Sequence, residues 1–446
     1  MKQIEEPSRT IPVMAETDVL VVGGGPAGLA AALAAARAGA DTMLLERYGC
    51  FGGVITQCMI GTIAWYRSTK ETVDAGGIGV EFERRAKEMG ASLHVFWYEI
   101  LDTEVFKYIA DQMLHEAGVV PLLHCPTVDV IMEGNTVKGV ITESKSGRQA
   151  ILAKRVIDAT GDADLAYRAG VPCRKDPKEI LEPVSVNFGC SGVNLDKFLK
   201  YTFSNPSTVA DWGDDSGQKE QDEFSTYLVE PFNKAKEAGE IPKDVRMRSY
   251  WGNFTDAGEI TSMNAIHMPN VDPTDVWDLT KAEIEGRQQV MWAVAALKKY
   301  TPGFENARLR TIGASLGTRE SRKIRGEYEL TGHDVMNEAR FDDSIGIFPE
   351  FLDGNKIAIM PSTGRYFQVP YGIIVPQKIE NLLVAGRCVA GDKTSHAATR
   401  QMMCCAVTGQ GAGVAAAVSL KDGAGFREID VSKVQRILKD QGVRTE

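Results

Sequence analysis

Three glycines near the N-terminus, Gly23, Gly25 and Gly28, have the G-x-G-x-x-G spacing that suits the binding of a pyrophosphate. The first glycine permits a tight turn, the second lets a phosphate approach the backbone, and the third lets a helix pack closely on a strand. Pro26 and Ala27 start the helix whose N-terminal amide groups then face the phosphates. The spacing therefore predicts a dinucleotide site, with a glycine-rich turn of purely structural purpose as the alternative.

An acidic residue follows at the distance that a dinucleotide site needs. Glu46 ends the next predicted strand, 18 residues after Gly28, where a carboxylate can bind the hydroxyl groups of a ribose. An acid at this position disfavours a 2′-phosphate, so NADP is not expected here. FAD and NAD fit this fingerprint equally well, and the rest of the chain has to separate them.

Two later segments place small or polar residues directly after predicted strands. Thr160, Gly161 and Asp162 follow the strand in "VIDATGDADLAYRAG", and Asp392 ends "NLLVAGRCVAGD". A loop of small residues can approach a cofactor closely, and the Asp392 carboxylate can accept hydrogen bonds from ribityl or ribose hydroxyls. For "ATGD" alone, the alternative is a strand-to-helix turn in which Asp162 caps the helix.

These segments resemble those of known flavoproteins. "VIDATGDADLAYRAG" and "NLLVAGRCVAGD" are similar to the second and third FAD-binding segments of the glutathione-reductase-like flavoproteins. "ASLGTRESRKIRGEYELTGHDV" and "RYFQVPYGIIVPQKIENLLVAGR" resemble a bacterial group of FAD-dependent oxidoreductases related to the succinate dehydrogenase and fumarate reductase flavoproteins. The resemblance runs through most of residues 16–440 and leaves roughly 174–300 uncovered. It implies FAD as the cofactor.

The resemblance also implies further contacts with FAD. "ERYGCFGG" is similar to the family segment that runs from the ribose acid to the flavin ring, where Arg47 and Gly53 would contact the cofactor. The other contacts expected on this basis are Val128, Gly386 and Arg387. A helix of small residues begins near Thr399, and its positive end would stabilise an anionic reduced flavin at the N1/O2 edge.

His396 and Arg400 in "HAATR" match an H-x-x-x-R that faces the substrate in the fumarate reductase relatives. The resemblance implies that both residues face a substrate here, where His396 could transfer a proton near neutral pH. The chain departs from those relatives at Arg387, where they place a glutamate, and in a longer connection before the histidine. A surface histidine, with Arg400 paired to an acid, is the alternative.

Arg319 is a further candidate for contact with the substrate. Its guanidinium could clamp an oxyanion or a carboxylate through two parallel hydrogen bonds. It lies in "GTRESRKIR", a basic cluster that also contains two glutamates nearby, so a structural network of ion pairs is the alternative. The sequence predicts a small-molecule substrate at these residues but not which molecule.

Eight cysteines are scattered along the chain without a C-x-x-C pair, so neither a metal site nor an iron–sulfur cluster is expected. Cys404 and Cys405 are adjacent and could form a redox disulfide, but two buried thiols in a helix fit the surrounding small residues better. Cys50 or Cys58 could attach a flavin covalently, although nothing in their spacing requires it.

The elements that position these residues begin as a βαβ unit, with a strand from Asp18, an alanine-rich helix from Pro26 to about Ala38, and a strand "DTMLLE". We predict an α/β protein with a Rossmann-like FAD-binding domain, in which a parallel sheet carries an antiparallel β-meander. This domain combines residues 1–173 and 301–446, and an inserted α+β substrate or cap domain spans 174–300. Aromatic residues of the insertion, Trp251, Phe254 and Trp277, hint at an apolar or ring-bearing substrate, with core packing as the alternative.

Composition excludes several classes of function. A net charge of −10 without a basic run argues against a nucleic-acid partner. No stretch approaches the roughly 18 uninterrupted apolar residues of a membrane span, and the N-terminus lacks a secretory signal, so we expect a cytoplasmic protein. A peripheral membrane role and a homo-oligomer stay open.

The sequence thus predicts an FAD-dependent dehydrogenase or reductase that acts on a small organic molecule by hydride transfer to or from flavin N5. No second G-x-G-x-x-G follows a strand, so no NAD(P)H domain is expected. The electron donor or acceptor is not identified and could be a quinone, a flavin-linked carrier or another subunit. Two alternatives stay open, a flavin-dependent hydratase or isomerase without net redox change and a non-catalytic flavoprotein subunit of a complex.

Overall fold

The computed structural model describes residues 2–63, 74–95, 98–204, 229–247, 254–255, 257–354, 357–359 and 364–446. Trp251 lies outside the described residues, as does the side chain of Phe254.

The described strands are distributed over both halves of the chain. They are β1 (Val13–Val22), β2 (Thr42–Leu45), β3 (Ser92–Val95), β4 (Tyr98–Leu101), β5 (Val120–Leu122), β6 (Thr127–Glu133), β7 (Thr136–Ser144), β8 (Gly147–Asp158), β9 (Cys173–Arg174), β10 (Val184–Ser191), β11 (Phe254–Thr255), β12 (Glu259–Met268), β13 (Arg308–Ile312), β14 (Lys323–Ile324), β15 (Ser344–Pro349), β16 (Leu352–Gly354), β17 (Ile357–Ile359), β18 (Tyr366–Pro370) and β19 (Leu382–Val384).

The described helices include two long ones, α8 and α11. The full set is α1 (Pro26–Arg37), α2 (Val54–Gln57), α3 (Gly77–Glu88), α4 (Thr103–Glu116), α5 (Asp164–Arg168), α6 (Leu195–Ser204), α7 (Val229–Glu237), α8 (Val276–Tyr300), α9 (Gly332–Met336), α10 (Lys393–Thr399), α11 (Met402–Asp422) and α12 (Val431–Asp440), with a 3₁₀ turn at Tyr371–Ile374.

The main sheet has the strand order β5-β2-β1-β8-β7-β6, and β19 pairs with β8. Strands β5, β2, β1, β8 and β19 run parallel, whereas β6, β7 and β8 form an antiparallel meander. This arrangement confirms the predicted α/β class. The apolar end of β1 is fully enclosed, as expected for a parallel strand covered on both faces. β1 begins at Val13, earlier than the predicted Asp18, because its first half pairs with β8.

The parallel strands end together at one edge of the sheet. Val22 at the end of β1 is in register with Leu45 of β2 and with Asp158 of β8, and Asp158 is in register with Val384 of β19. Ligands of open parallel sheets bind at the carboxyl ends of the strands. The register therefore brings the four segments that the sequence singled out to a single edge.

Helix α11 packs against α1 through small residues on both helices. A Cβ atom added to Gly409 would lie 2.1 Å from the Ala27 carbonyl oxygen, and one added to Gly413 would lie 2.2 Å from that of Ala31. Within the described residues, α11 is the helix long and apolar enough to cross a membrane, but 94% of its most apolar stretch is buried inside the protein. This burial is typical of a core helix.

A second unit surrounds the sheet β11-β12-β10-β13 and has its own hydrophobic core, built from described residues between Val184 and Leu316 that include side chains of α6, α7 and α8. Phe304, Ala307 and Leu316 belong to this core, so it continues past residue 300, the predicted end of the insertion. Trp277 lies at the start of α8 and is 80% exposed. Its predicted role as a substrate contact or core residue is therefore wrong.

Candidate active site

A cavity of about 1030 Å³ lies between the carboxyl edge of the main sheet and one face of the second sheet. This volume is at the upper end of the range for small-molecule sites. One wall comes from residues that follow β1, β2, β8 and β19, and the opposite wall comes from β10, β12 and the segment around Arg319.

The glycine fingerprint forms the first part of the cavity wall. Gly23 has a φ of +101°, and a Cβ atom there would lie 2.4 Å from the Ala159 carbonyl oxygen. Gly28 packs against Gly23 and does not line the cavity, in agreement with its predicted packing role. Gly25, Pro26 and Ala27 line the cavity, and no side chain caps the N-terminus of α1 at Gly25. The first amide groups of α1 are therefore available to a phosphate.

Glu46 is only 6% exposed and lines the cavity next to this helix end. Its Oε2 accepts a hydrogen bond from the Gly24 amide at 2.8 Å, and its Oε1 accepts one from the Tyr48 amide at 2.9 Å. Each carboxylate oxygen keeps a second lone pair that can accept a ribose hydroxyl. Arg47 lines the same part of the cavity and stacks over the Tyr48 ring.

The loop after β2 crosses in front of α1. Gly53 has a φ of +51°, and a Cβ atom there would lie 2.6 Å from the Gly25 Cα atom. Only glycine allows the two backbone segments to approach this closely. The loop places Gly53 and Val54 in the cavity wall, as predicted for Gly53.

Asp158 stabilises the loop after β8 through hydrogen bonds, and it was not among the residues predicted from the sequence. It is fully buried, and its carboxylate accepts hydrogen bonds from the amides of Thr160, Leu165 and Ala166. Burial raises its pKa. The sequence feature that could have identified Asp158 is the acid at the end of the apolar strand in "VIDATGD". The loop presents Thr160, Gly161 and Asp162 to the cavity.

Asp162 pairs with a residue from the strand end of β19. Its Oδ1 lies 2.8 Å from an Arg387 guanidinium nitrogen and accepts a hydrogen bond from the Ser321 hydroxyl at 2.5 Å. Ala163, not Asp162, is the N-cap of α5, which excludes the alternative cap role for Asp162. Gly386 and Arg387 both line the cavity, and their contact with FAD stays a prediction.

The structure places two predicted cofactor contacts outside the cavity. Asp392 caps α10, because one carboxylate oxygen accepts from the Ser395 amide at 2.7 Å and the other accepts from the Gly332 amide at 2.9 Å. Val128 accepts a hydrogen bond from Arg168 through its carbonyl, while its neighbour Thr127 lines the cavity. The predicted contacts of Asp392 and Val128 with FAD are therefore corrected to structural roles.

Helix α11 directs its N-terminus at the cavity. Gln401, Met402 and Cys405 line the wall, and no side chain caps this helix end. A helix of 21 residues concentrates partial positive charge at its first amide groups. The predicted start near Thr399 is close to the observed one, because α10 ends there and α11 begins three residues later.

Arg319 and Arg400 line the far end of the cavity, but His396 does not. His396 is 3% exposed and lies behind Arg319, with its Nε2 atom 3.1 Å from the Arg319 carbonyl oxygen. Burial and the nearby charge of Lys323 lower its pKa well below 6.5, so the ring is neutral. The predicted contact of His396 with substrate and its surface alternative are both wrong.

Arg319 does not belong to the neighbouring ion pairs. Its Nη1 donates to the Pro183 carbonyl at 2.7 Å, and among the described residues it makes no ion pair. Glu320 pairs instead with Lys323 at 2.6 Å and with Lys393 at 2.9 Å. Burial and the charge of Arg400 lower the pKa of Arg319 to about 10, which still leaves it cationic at neutral pH.

The second unit adds polar groups that no sequence motif indicated. Arg246 lines the cavity close enough to Arg319 to contribute to its electrostatic environment. Asn187, Ser262, Asn264 and His267 line it from β10 and β12. The Oδ1 atoms of Asn187 and Asn264 are buried and have no hydrogen-bond partner within the described parts of the chain. These atoms can accept hydrogen bonds from a ligand.

The cysteines of the site are thiols. Cys58 lines the cavity and donates to the Leu316 carbonyl at 3.2 Å, and burial raises its pKa to about 11. Cys50 accepts a hydrogen bond from Gln57. Cys404 and Cys405 are buried and unbridged, as expected. Protonated, hydrogen-bonded thiols are poor nucleophiles.

Comparison with known proteins places the chain among flavoenzymes. A family model described as FAD dependent oxidoreductase matches residues 18–438. The chain is 34% identical over 174 residues to digeranylgeranylglycerophospholipid reductase 1 of Methanopyrus kandleri, covering 37% of this chain and 45% of that protein. It is 34% identical over 175 residues to thiamine thiazole synthase of Saccharolobus islandicus, covering 36% and 61%. These matches span about half the length of the relatives.

Solved structures with similar backbones include a geranylgeranyl bacteriochlorophyll reductase-like protein from Thermoplasma acidophilum, with 13% identity, a TM-score of 0.47 and coverage of 97% of this chain and 85% of that one. A p-nitrophenol 4-monooxygenase from Pseudomonas putida has 12% identity, a TM-score of 0.43 and coverage of 96% and 84%.

Proposed function

The chain belongs to the FAD-dependent oxidoreductase family, and we propose that it binds FAD along this cavity and oxidises or reduces a small organic molecule at the end lined by Arg319 and Arg400. The observation that supports this proposal most strongly is the convergence of two uncapped helix N-termini, α1 and α11, on a cavity that also contains the half-satisfied carboxylate of Glu46. This donor set fits an extended molecule with a diphosphate near its middle.

The cavity residues divide into consecutive groups along the cofactor. The amide groups at the start of α1 would hold the pyrophosphate, and Glu46 would hold a ribose. Thr160 to Asp162 and Arg387 would contact the central part. The first amide groups of α11 would stabilise negative charge on the ring system.

When bound, FAD supplies an acceptor or donor of hydride at N5. The protein has to orient the substrate, exclude water and provide for the accompanying proton. Arg319 and Arg400 would orient the substrate, and the face of the second sheet would exclude water. His396 is too deeply buried to transfer the proton, whereas His267 on β12 lines the cavity.

A glycine variant tests the cofactor site without disturbing the protein around it. A Cβ atom at Gly25 would find only the Gly53 Cα atom within 4 Å, at 3.8 Å, and the backbone φ of −74° suits any residue. Gly25→Val should therefore fold but fill the space of the phosphates. We expect the purified protein to be yellow, acid precipitation to release FAD, and Gly25→Val to be colourless at unchanged secondary structure.

Gly425→Val is the matched control, because a Cβ atom there would come no closer than 3.6 Å to any atom and the residue lies outside the cavity. It should keep its flavin. A wild-type protein that binds NAD but no flavin would refute the proposal. Flavin that stays in the acid pellet would instead indicate covalent attachment, which the protonated thiol of Cys58 argues against.

Several finer expectations remain predictions. These are the closer relationship to glutathione reductase and to the succinate dehydrogenase and fumarate reductase flavoproteins, the cytoplasmic location, the electron partner and a homo-oligomer. The buried position of His396 gives no support to the relationship with fumarate reductase. A hydratase, an isomerase and a non-catalytic subunit stay open as alternatives until turnover is measured.

A further inference from the structure

We propose that the substrate is a small organic carboxylate whose carboxylate group binds between Arg246 and Arg319. This inference rests on the proposed function, because it names the class of molecule that reaches the flavin site. It assigns a substrate-binding role to Arg246, which no sequence motif indicated.

The pairing of the cavity arginines carries the argument. Arg387 pairs with Asp162 at 2.8 Å, Arg400 with Asp353 at 3.2 Å, and Arg168 lies 3.9 Å from Asp164. Arg246 and Arg319 also line the cavity, but neither makes an ion pair with the described residues. Arg47 likewise makes no ion pair with the described parts of the chain, but it lies beside Glu46 at the opposite, nucleotide end.

The guanidinium groups of Arg246 and Arg319 lie in one part of the cavity and repel each other. The described carboxylates nearby compensate their charges only partly. The charges of Arg400 and Arg246 both act on Arg319, opposed by those of Asp353 and Glu182. Among these five described groups, the cations outnumber the carboxylates by three to two. An anion of charge −1 would balance this difference, and guanidinium groups bind carboxylates through paired hydrogen bonds.

The structure holds Arg319 in position for such a ligand. Its Nη1 donates to the Pro183 carbonyl, which leaves its other guanidinium N–H groups for a ligand. Its backbone carbonyl accepts a hydrogen bond from the buried ring of His396. Arg246 immediately precedes Met247, which bridges Ile266 of β12, so its backbone is anchored to the second sheet.

Calorimetric titration of the purified, flavin-loaded protein with acetate, succinate, benzoate and phenylacetate tests the proposal, with benzamide as the uncharged analogue of benzoate. We expect at least one carboxylate to bind, and benzamide to bind at least tenfold more weakly than benzoate if benzoate is that ligand. Arg246→Gln should weaken carboxylate binding at least tenfold, and Arg246→Lys should restore part of it. Arg310→Gln, at an exposed arginine of the same unit, is the control and should bind normally.

Three results would overturn the proposal. The first is that no carboxylate of the panel binds. The second is that wild type and Arg246→Gln bind carboxylates with equal affinity. The third is that inorganic phosphate binds in a way that depends on Arg246 and no carboxylate competes with it. The last result would assign the site to a phosphate group. Failure of the proposed function can be distinguished from failure of this proposal. A colourless protein would refute the binding of FAD, while titration of that protein would still decide whether Arg246 binds carboxylates.

Discussion

At the residue scale, His396 supports the backbone of Arg319 and does not line the cavity. Its Nε2 atom donates to the Arg319 carbonyl, and its Nδ1 atom is buried without a partner among the described residues. A ring that is neutral and enclosed cannot exchange protons with a ligand in the cavity. Its contribution to activity is therefore to hold the backbone from which Arg319 reaches the cavity.

His396→Ala should keep FAD, lose about 1–3 kcal/mol of unfolding free energy, and raise KM more than it lowers kcat. The reason is that Arg319 loses its backbone support while the groups along the cofactor stay in place. Urea unfolding and steady-state kinetics across pH measure these effects. If His396→Ala removed an ionisation near neutral pH from the profile of kcat/KM, the histidine would have to be a proton-transfer group after all.

At the element scale, the contact between α1 and α11 fixes two helix ends on one cavity. Ala27 and Ala31 of α1 face Gly409 and Gly413 of α11 with no room for a side chain. Small residues at these positions let the two backbones approach closely, as dense core packing requires. Both N-termini are therefore held on the wall of one cavity by the same interface.

Gly409→Ala should push α11 away from α1, because the new Cβ atom would lie 2.1 Å from the Ala27 carbonyl oxygen. Overpacking of this kind costs about 1–3 kcal/mol of stability. The shift should also weaken FAD binding, which fluorescence titration of the flavin-free protein can measure. Gly425→Ala meets no close atom and is the control. Wild-type stability and FAD affinity in Gly409→Ala would contradict this account.

At the scale of the whole molecule, a buried ionic cluster connects the segment around Arg319 to α10. Glu320 and Lys323 are both almost fully enclosed, and Glu320 also contacts Lys393 of α10 and accepts a hydrogen bond from the Glu182 amide. Burial opposes ionisation of Glu320, but its cationic partners prevail and lower its pKa from 4.5 to about 2. Breaking such a buried pair by removing one partner is costly.

This cluster predicts how stability depends on pH. The pKa of Glu320 is lower in the folded protein than in the unfolded chain, so its contribution is fully present above pH 4.5 and is lost as the pH falls towards 2. The loss is of order 3 kcal/mol at most. Urea unfolding between these pH values should give a shallower decline for Glu320→Gln than for the wild type. Parallel declines would refute a role for Glu320.

The sequence by itself determined which segments line the part of the cavity proposed for FAD. G-x-G-x-x-G, Glu46 and the loop in "ATGD" each follow a strand, and local chain geometry fixes what a short segment after a strand can do. Parallel strands end at a common edge, so the order of elements was enough to predict that these segments meet. The α/β class followed from the same patterns.

Only the tertiary structure decided which residues line the part of the cavity proposed for the substrate. Whether a side chain such as His396 or Asp392 faces a cavity or a neighbouring backbone depends on packing between elements far apart in the chain, which residue type does not reveal. Arg246 lies 73 residues before Arg319, without any motif, and reaches the same cavity because its segment bridges β12, which lines the cavity. Contacts between separate units arise from the three-dimensional fold, so no local pattern could have selected this arginine.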